Sequence, residues 1–393
     1  MGLFSKPKQK EELMLVFNIG SSSIGGALFY AQPSGAPKII FSARESIAIE
    51  EKFNIDRFLD FTLQSLEVVA KQIYEARLGA PSRIFCVLSS ALYISQTRII
   101  TLEKNTPFIF SEKLADELIQ KEIKLFGEEH LDKYEGGDNA VRAIELKNIK
   151  TLLNGYETSE PLNQKIKQLE MTLFISMSGE QVLQKIEETI VKFFYFSEIK
   201  FSSFAMASFT VVRDIYSQKE DFLLIDIGGE VTDISMIKKN VLHESISFPL
   251  GRNFLTRGVA SGLGSTLDEA NSLISLLKDG HAEEITARKL TPIIDKLKKE
   301  WLKSFQEALA NLSHDISIPA TIYIAIGKDL ADFFAETIRT EQFNQYTLTE
   351  SKFKVIFLNT ELLHGFATFK DDVIREPFVI IDAIFINRFI FSK

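Results

Sequence analysis

The sequence predicts an α/β protein of two related lobes carrying a smaller inserted subdomain, and three observations carry that prediction. An apolar strand at 13–17, a turn of small residues at 18–26 and a second apolar strand at 28–30 read as a hairpin. The device returns at 222–237, where Leu223-Leu224-Ile225-Asp226-Ile227-Gly228-Gly229-Glu230 leads into Val231-Thr232-Asp233-Ile234. Two copies in 393 residues, 45% of them hydrophobic, point to two lobes with sizeable cores. Third, Thr321–Ile326 is an apolar strand that ends at Gly327 and runs into a helical pattern over 329–338.

In chain order, residues 1–12 read as a frayed basic leader with Lys6, Lys8 and Lys10; Leu3 and Phe4 beside these lysines leave open a weak contact with a membrane surface. Gly2 stands where a myristoylation signal needs it, but Lys6 occupies the place of its Ser or Thr. Glycines in the two turns let the backbone approach a ligand, and successive N–H groups with hydroxyls form a nest for phosphate oxygens. Two facing turns would clamp a triphosphate through Gly20, Ser21, Ser22 and Ser23 on one side and Gly228 and Gly229 on the other. A carboxylate opening each turn would add magnesium coordination; Asp226 meets that need, through magnesium bound with nucleotide, and Asn18 does not. For each turn alone, a tight glycine hairpin without a ligand is the competing reading. The third strand, ending at Gly327 where a helix begins, makes a further binding corner.

Between the two turns, a strand near 94–102, a helix near 111–126 and strands near 140–152 and 169–177 outline the insert. Cys86 sits in an apolar run and is expected in the core. Leu290, Ile293, Ile294, Leu297, Trp301, Leu302, Phe305, Leu309 and Leu312 recur at helical spacing over 287–312, a core-facing amphipathic helix. In the closing run 376–391, Asp382, Asn387 and Arg388 do not gather on one helical face, so it reads as a buried segment more than as an interfacial helix.

Composition bounds the function. A net charge of -8 and a pI near 5.4 exclude the basic surface that nucleic acid needs. One cysteine and five scattered histidines exclude a disulfide framework and a multi-cysteine metal site. No run approaches the roughly 20 apolar residues of a spanning helix, and no apolar signal core is present, so a cytoplasmic location is expected. No His with a carboxylate partner can be argued from spacing; His130, His243, His281, His314 and His364 read as surface or packing residues. Asp233 either orients a water or satisfies its own turn.

The order of first phosphate turn, second phosphate turn and adenosine corner resembles the actin, sugar-kinase and heat-shock-chaperone ATPase superfamily. Ser247-Phe248-Pro249-Leu250-Gly251-Arg252-Asn253-Phe254-Leu255-Thr256-Arg257-Gly258, continuing into Leu267-Asp268-Glu269-Ala270, is similar to the stretch after the second turn in the FtsA and PilM families. The resemblance implies an actin-like (ribonuclease H-like) two-lobed fold with an SHS2-type insert. It divides the chain into a first lobe at 13–90 plus 179–216 (subdomain 1A), the insert at 91–178 (1C), and a second lobe at 217–393 (2A and 2B), with subdomain 2B at about 252–317. It implies ATP with magnesium as the ligand, held by Asn18, Gly20, Ser21, Ser22, Ser23, Asp226, Gly228, Gly229, Asp233, Gly251, Glu269 and Gly327.

The departures from the family pattern weaken that ligand. Asn18 stands for an aspartate, Glu230 for the third glycine of the second turn, and Ala325-Ile326-Gly327 lacks paired glycines. Asn271 and Ile274 occupy places where charged residues usually flank the adenosine. The resemblance implies a nucleotide-binding scaffold, at most a slow ATPase, at the inner face of the cell membrane. Asn154-Gly155-Tyr156 and Leu169–Ile175 make the FtsA type the reading the sequence favours, an adaptor that links a cytoplasmic division filament to the membrane and self-associates through its insert and lobes, with the PilM type as the alternative. The closing run 376–391 favours the PilM type, a scaffold of type IV pilus assembly that holds the N-terminal peptide of an inner-membrane protein and touches the membrane only through it.

Overall fold

The computed structural model describes residues 12–33, 35–130, 140–195, 198–312, 317–327, 330–340 and 352–391. The leader with Leu3 and Phe4, and His314, lie outside the described residues, as does the side chain of His130.

The first sheet is built from β1 (Glu12–Ile19), β2 (Ser23–Ala31), β3 (Lys38–Ser46), β4 (Arg83–Leu88), β9 (Ile199–Ser203) and β15 (Thr368–Phe369), in the order β15-β3-β2-β1-β4-β9. β1 to β3 form an antiparallel meander, and β4 joins β1 in parallel, with β9 parallel beside it. On one face, α1 (Ile55–Glu75) and α3 (Glu180–Val191) bury Leu66, Val69, Ile73, Leu183 and Ile186 against Leu15, Phe17 and Ile84. Asn54 caps α1 through its Oδ1, which accepts from the Arg57 amide.

The second sheet is built from β10 (Phe222–Ile227), β11 (Thr232–Lys238), β12 (Val241–Phe248), β13 (Thr321–Ile326) and β14 (Lys354–Phe357), in the order β12-β11-β10-β13-β14. It repeats the first sheet's plan of antiparallel strands followed by parallel ones. Its outer face packs on α5 (Arg252–Leu263), α6 (Leu267–Lys278), α7 (Glu284–Leu312) and α8 (Ala331–Thr340), around the fully buried Trp301. The helix expected over 287–312 is thus α7, and Pro292 lies inside it.

The inner faces of both sheets share one core with α4 (Phe204–Ile215), α9 (Thr360–Leu363) and α10 (Pro377–Phe391). Val379 to Asn387 of α10 are all buried, as the scattered polar positions of that run predict. β15 and α10 fall within the 217–393 that the family resemblance assigns to the second lobe, yet both reach the first sheet. β15 pairs with β3, and α10 lies on β2 closely enough that a Cβ on Gly25 would stand 2.5 Å from Val379 Cγ2. Gly25 and Gly26 are therefore strand residues that admit α10 and α1, and the turn shrinks to Gly20–Ser22.

Between β4 and α3, four antiparallel strands form the insert: β5 (Ile94–Phe110), β6 (Val141–Leu153), β7 (Tyr156–Glu157) and β8 (Gln164–Gly179), in the order β5-β8-β6-β7. Leu169, Met171, Leu173, Ile175 and Met177 point to one face of β8 and pack with α2 (Glu112–His130) through Phe126. Asn154 and Gly155 take positive φ at the β6–β7 turn. Among the described residues no helix is long and apolar enough to cross a membrane.

Candidate functional site

The repeated hairpins place their turns against each other at the junction of the lobes. Ser21 of the first turn accepts through Oγ from the amides of Gly229 (2.8 Å) and Glu230 (3.3 Å). The approach is close: a Cβ on Gly228 would stand 2.6 Å from Ser21 Oγ, and one on Gly229 would overlap the Ser21 carbonyl. Gly228 donates its own amide to the Val231 carbonyl, at 3.0 Å. The start of α5 closes on the same turn. The amides of Gly251, Arg252 and Asn253 donate to the carbonyls of Glu230, Gly228 and Gly229 at 3.1, 2.9 and 2.8 Å. A Cβ on Gly251 would strike the Gly228 and Gly229 carbonyls, which explains its glycine.

Glu230 turns away from the first lobe's turn into an internal ion pair. Arg257 donates through Nη1 and Nη2 to its two oxygens, at 2.6 and 2.8 Å, and Asn253 Nδ2 donates at 2.7 Å. Arg257 Nε reaches across to the Glu50 carbonyl at 2.6 Å, tying the second lobe to the first. The anion that sequence alone places beside phosphates is neutralised within its own lobe.

Asn18, buried at the end of β1, donates through Nδ2 to Asp382 Oδ2 of α10 at 2.8 Å. Asp382 is fully buried, and its Oδ1 has no hydrogen-bond partner; the same holds for Oδ1 of the buried Asp226. Burial raises both carboxyls well above the usual range. Asp233 adds to the rise at Asp226; at Asp382 the Asn18 bond opposes it, while Glu376 and Asp226 add to it. Asp233 pairs with Asp226 across the hairpin. Burial lifts its carboxyl to about 6, against bonds from Ser247 and Ser90. It lines a cavity of about 460 Å³ with Ser90, Tyr93, Ser95 and Ser245, at the meeting of both lobes and the insert.

The remaining expected site residues separate. Gly20 closes the first turn by donating to the Ser23 carbonyl at 3.2 Å, and Ser23 Oγ accepts from Arg44 at 3.1 Å. Ser22 lines a cavity of about 370 Å³ between the lobes with Ile47, Arg252, Asn271, Ile274 and Leu330. Glu269 is exposed and does not line it. Its carboxylate accepts from the Thr266 amide while Thr266 Oγ1 accepts from the Glu269 amide, so it serves as the capping box of α6. Gly327 lies under the Arg252 guanidinium, which a Cβ there would overlap. Among the described residues no three His, Cys, Asp or Glu side chains are placed to hold a metal ion. Cys86 is buried, and His243, His281 and His364 are exposed, as expected.

Against a magnesium nucleotide, this arrangement fits poorly. The unpartnered Asp226 oxygen suits a cation, but the amides of Gly228, Gly229 and Glu230 are all engaged within the chain, and none of Ser21, Asp226, Gly228 or Gly229 lines the 370 Å³ space. Sequence reasoning passes over Asp382, Glu376, Arg252 and Arg257 as site residues. A charge inside the apolar run 378–386 is the signal for Asp382.

A third recess lies at the foot of the insert, beside Lys147. It encloses about 530 Å³ between the β2–β3 turn, α4, α10 and Lys147 of β6. Phe366, Phe385, Phe389 and Phe391 supply apolar walls, and Lys147, Arg213 and Arg388 the charge, with Asp214 held by both arginines.

No family model matches the sequence, and no curated protein matches it. Solved structures do. The chain superposes on a structure described as the PilM-PilN type IV pilus biogenesis complex with a TM-score of 0.60, at 13% identity, over 97% of this chain and 99% of that one. The ethanolamine utilization protein EutJ from Carboxydothermus hydrogenoformans gives 0.44 at 12% identity over 98% and 91%. A Bacteroides thetaiotaomicron protein described as having an actin-like ATPase fold gives 0.40 at 8% identity over 90% and 93%. The fold is the actin-like ATPase fold.

Proposed function

We propose that this chain is an actin-fold scaffold of the PilM type, which holds a segment of a membrane-bound partner at the foot of its insert. The observation that carries the reading is the superposition on the pilus complex, which spans nearly all of both chains and therefore includes the insert. The 530 Å³ recess supports it. Its phenylalanine walls, with Lys147 and the arginine pair held on Asp214 at the rim, suit a short, largely apolar partner segment. α10 supports it too, because its apolar surface is used inside the first lobe and is not presented to a bilayer. We take the insert to be of the SHS2 type and the three bodies to be those outlined by the sheets, with α10 returned to the first lobe. Contact with the inner face of the membrane then comes through the partner. The division-adaptor reading of the FtsA type rests on the sequence at 154–156 and 169–175 and has no further support in the recess or the tail.

The test is fluorescence anisotropy with the labelled cytoplasmic N-terminal peptide of an inner-membrane pilus protein from the same genome. Micromolar binding that weakens about tenfold or more in Arg388→Glu would support the reading. Absence of binding, with capture of a tubulin-like division protein in its place, would return the chain to the FtsA type.

A further inference from the structure

The junction between the lobes is filled by the chain's own groups at the two points where a nucleotide would have to enter. We infer that Ser21 and Arg252 act as a built-in substitute for a nucleotide: Ser21 closes the lobes on each other, Arg252 fills the corner at Gly327, and ATP with magnesium is not a ligand of the closed protein. This inference stands apart from the partner reading, which uses a recess elsewhere.

Ser21 Oγ is an oxygen acceptor on the Gly229 and Glu230 amides, the place a phosphate oxygen would take. With Gly228 bonded to Val231, three successive amides of the second turn are satisfied by the chain itself. The start of α5, whose amides would otherwise favour an anion, is covered by the carbonyls of Gly228, Gly229 and Glu230. Arg252, the first residue of α5, lays its guanidinium on Gly327 and so fills the corner at the end of β13. Arg252 also lines the space between the lobes together with Ser22 and Ile47 of the first lobe. Arg257 completes the bridge through the Glu50 carbonyl. The groups nearest the turns offer a triphosphate no donor. Asp226 and Asp382 are buried acids with unpartnered oxygens, and Asn18 gives its donor to Asp382.

The experiment combines calorimetry with amide exchange on the full chain. In the wild type, ATP with magnesium up to about 1 mM should give no binding heat. The amides of Gly229 and Glu230 should exchange slowly with no nucleotide present. Ser21→Ala, which removes their acceptor, should speed them by roughly tenfold, and Ser21→Thr should restore the slow rate. Arg252→Ala should loosen the same amides, with Arg252→Lys closer to wild type. Micromolar heat, or further slowing of these amides on adding ATP with magnesium, would overturn the inference. So would unchanged exchange in a folded Ser21→Ala protein, which would mean that the lobes are held together elsewhere.

Discussion

Arg257→Ala tests whether Glu230 is an internal ion-pair partner or a free anion at the turn. The pair is double, with contacts of 2.6 and 2.8 Å, and its side chains are 19% and 10% exposed. Removing the arginine leaves a nearly buried carboxylate with one remaining donor, Asn253 Nδ2. Loss of one partner from a buried pair costs about 3–5 kcal/mol; the surviving Asn253 bond and residual exposure place this case near about 3 kcal/mol. Adding Glu230→Gln removes the stranded charge, so the double variant should recover about 2 kcal/mol, a coupling typical of side chains in contact. Trp301, the single tryptophan, lies in the same lobe and donates to the Leu250 carbonyl at 3.1 Å. Urea unfolding followed by its fluorescence therefore reports the lobe that holds the pair. A loss below about 1 kcal/mol, the worth of an exposed pair, would refute the reasoning. So would a double variant no more stable than Arg257→Ala.

Gly25→Ala places a methyl group against Val379, and overpacking of this kind should lower stability by about 1–3 kcal/mol, read as a lower melting temperature; an unchanged melt would mean that α10 shifts freely on β2. Asn18→Asp sets a carboxylate against the buried Asp382 in place of a donor. Its folded-state pKa is then raised, so the variant should be close to wild type near about pH 4 and distinctly weaker near about pH 8; equal losses at both pH values would reject this. Burial raises Glu145 from 4.5 to about 7, against bonds from Ser203 and the charge of Lys147. Folding favours its protonated form, so stability should fall as pH rises from about 4.5 to about 7 and level off above; in Glu145→Gln that part of the slope should vanish from pH-dependent urea midpoints.

The elements legible in the sequence are those whose burial follows a local period. β1 and β2, β10 and β11, the helix over 284–312 and the insert strands each show their apolar face within one stretch of chain. The glycine run at 25–26 misleads because a glycine that admits a helix looks, in sequence, like one that makes a turn. The tail's burial is readable from composition, but its packing partners depend on contacts such as Asn18 to Asp382, 364 residues apart. The site is legible only in outline for the same reason. Asn18 and Glu230 each read as a lost contact when taken alone. In the fold each is half of a pair, with Asp382 and with Arg257. Asn18 is the side chain that can donate to a buried carboxylate, and an ionised aspartate there could not. The departure at the first turn and the charge in the apolar tail thus meet in one hydrogen bond, visible only when β1 and α10 are side by side.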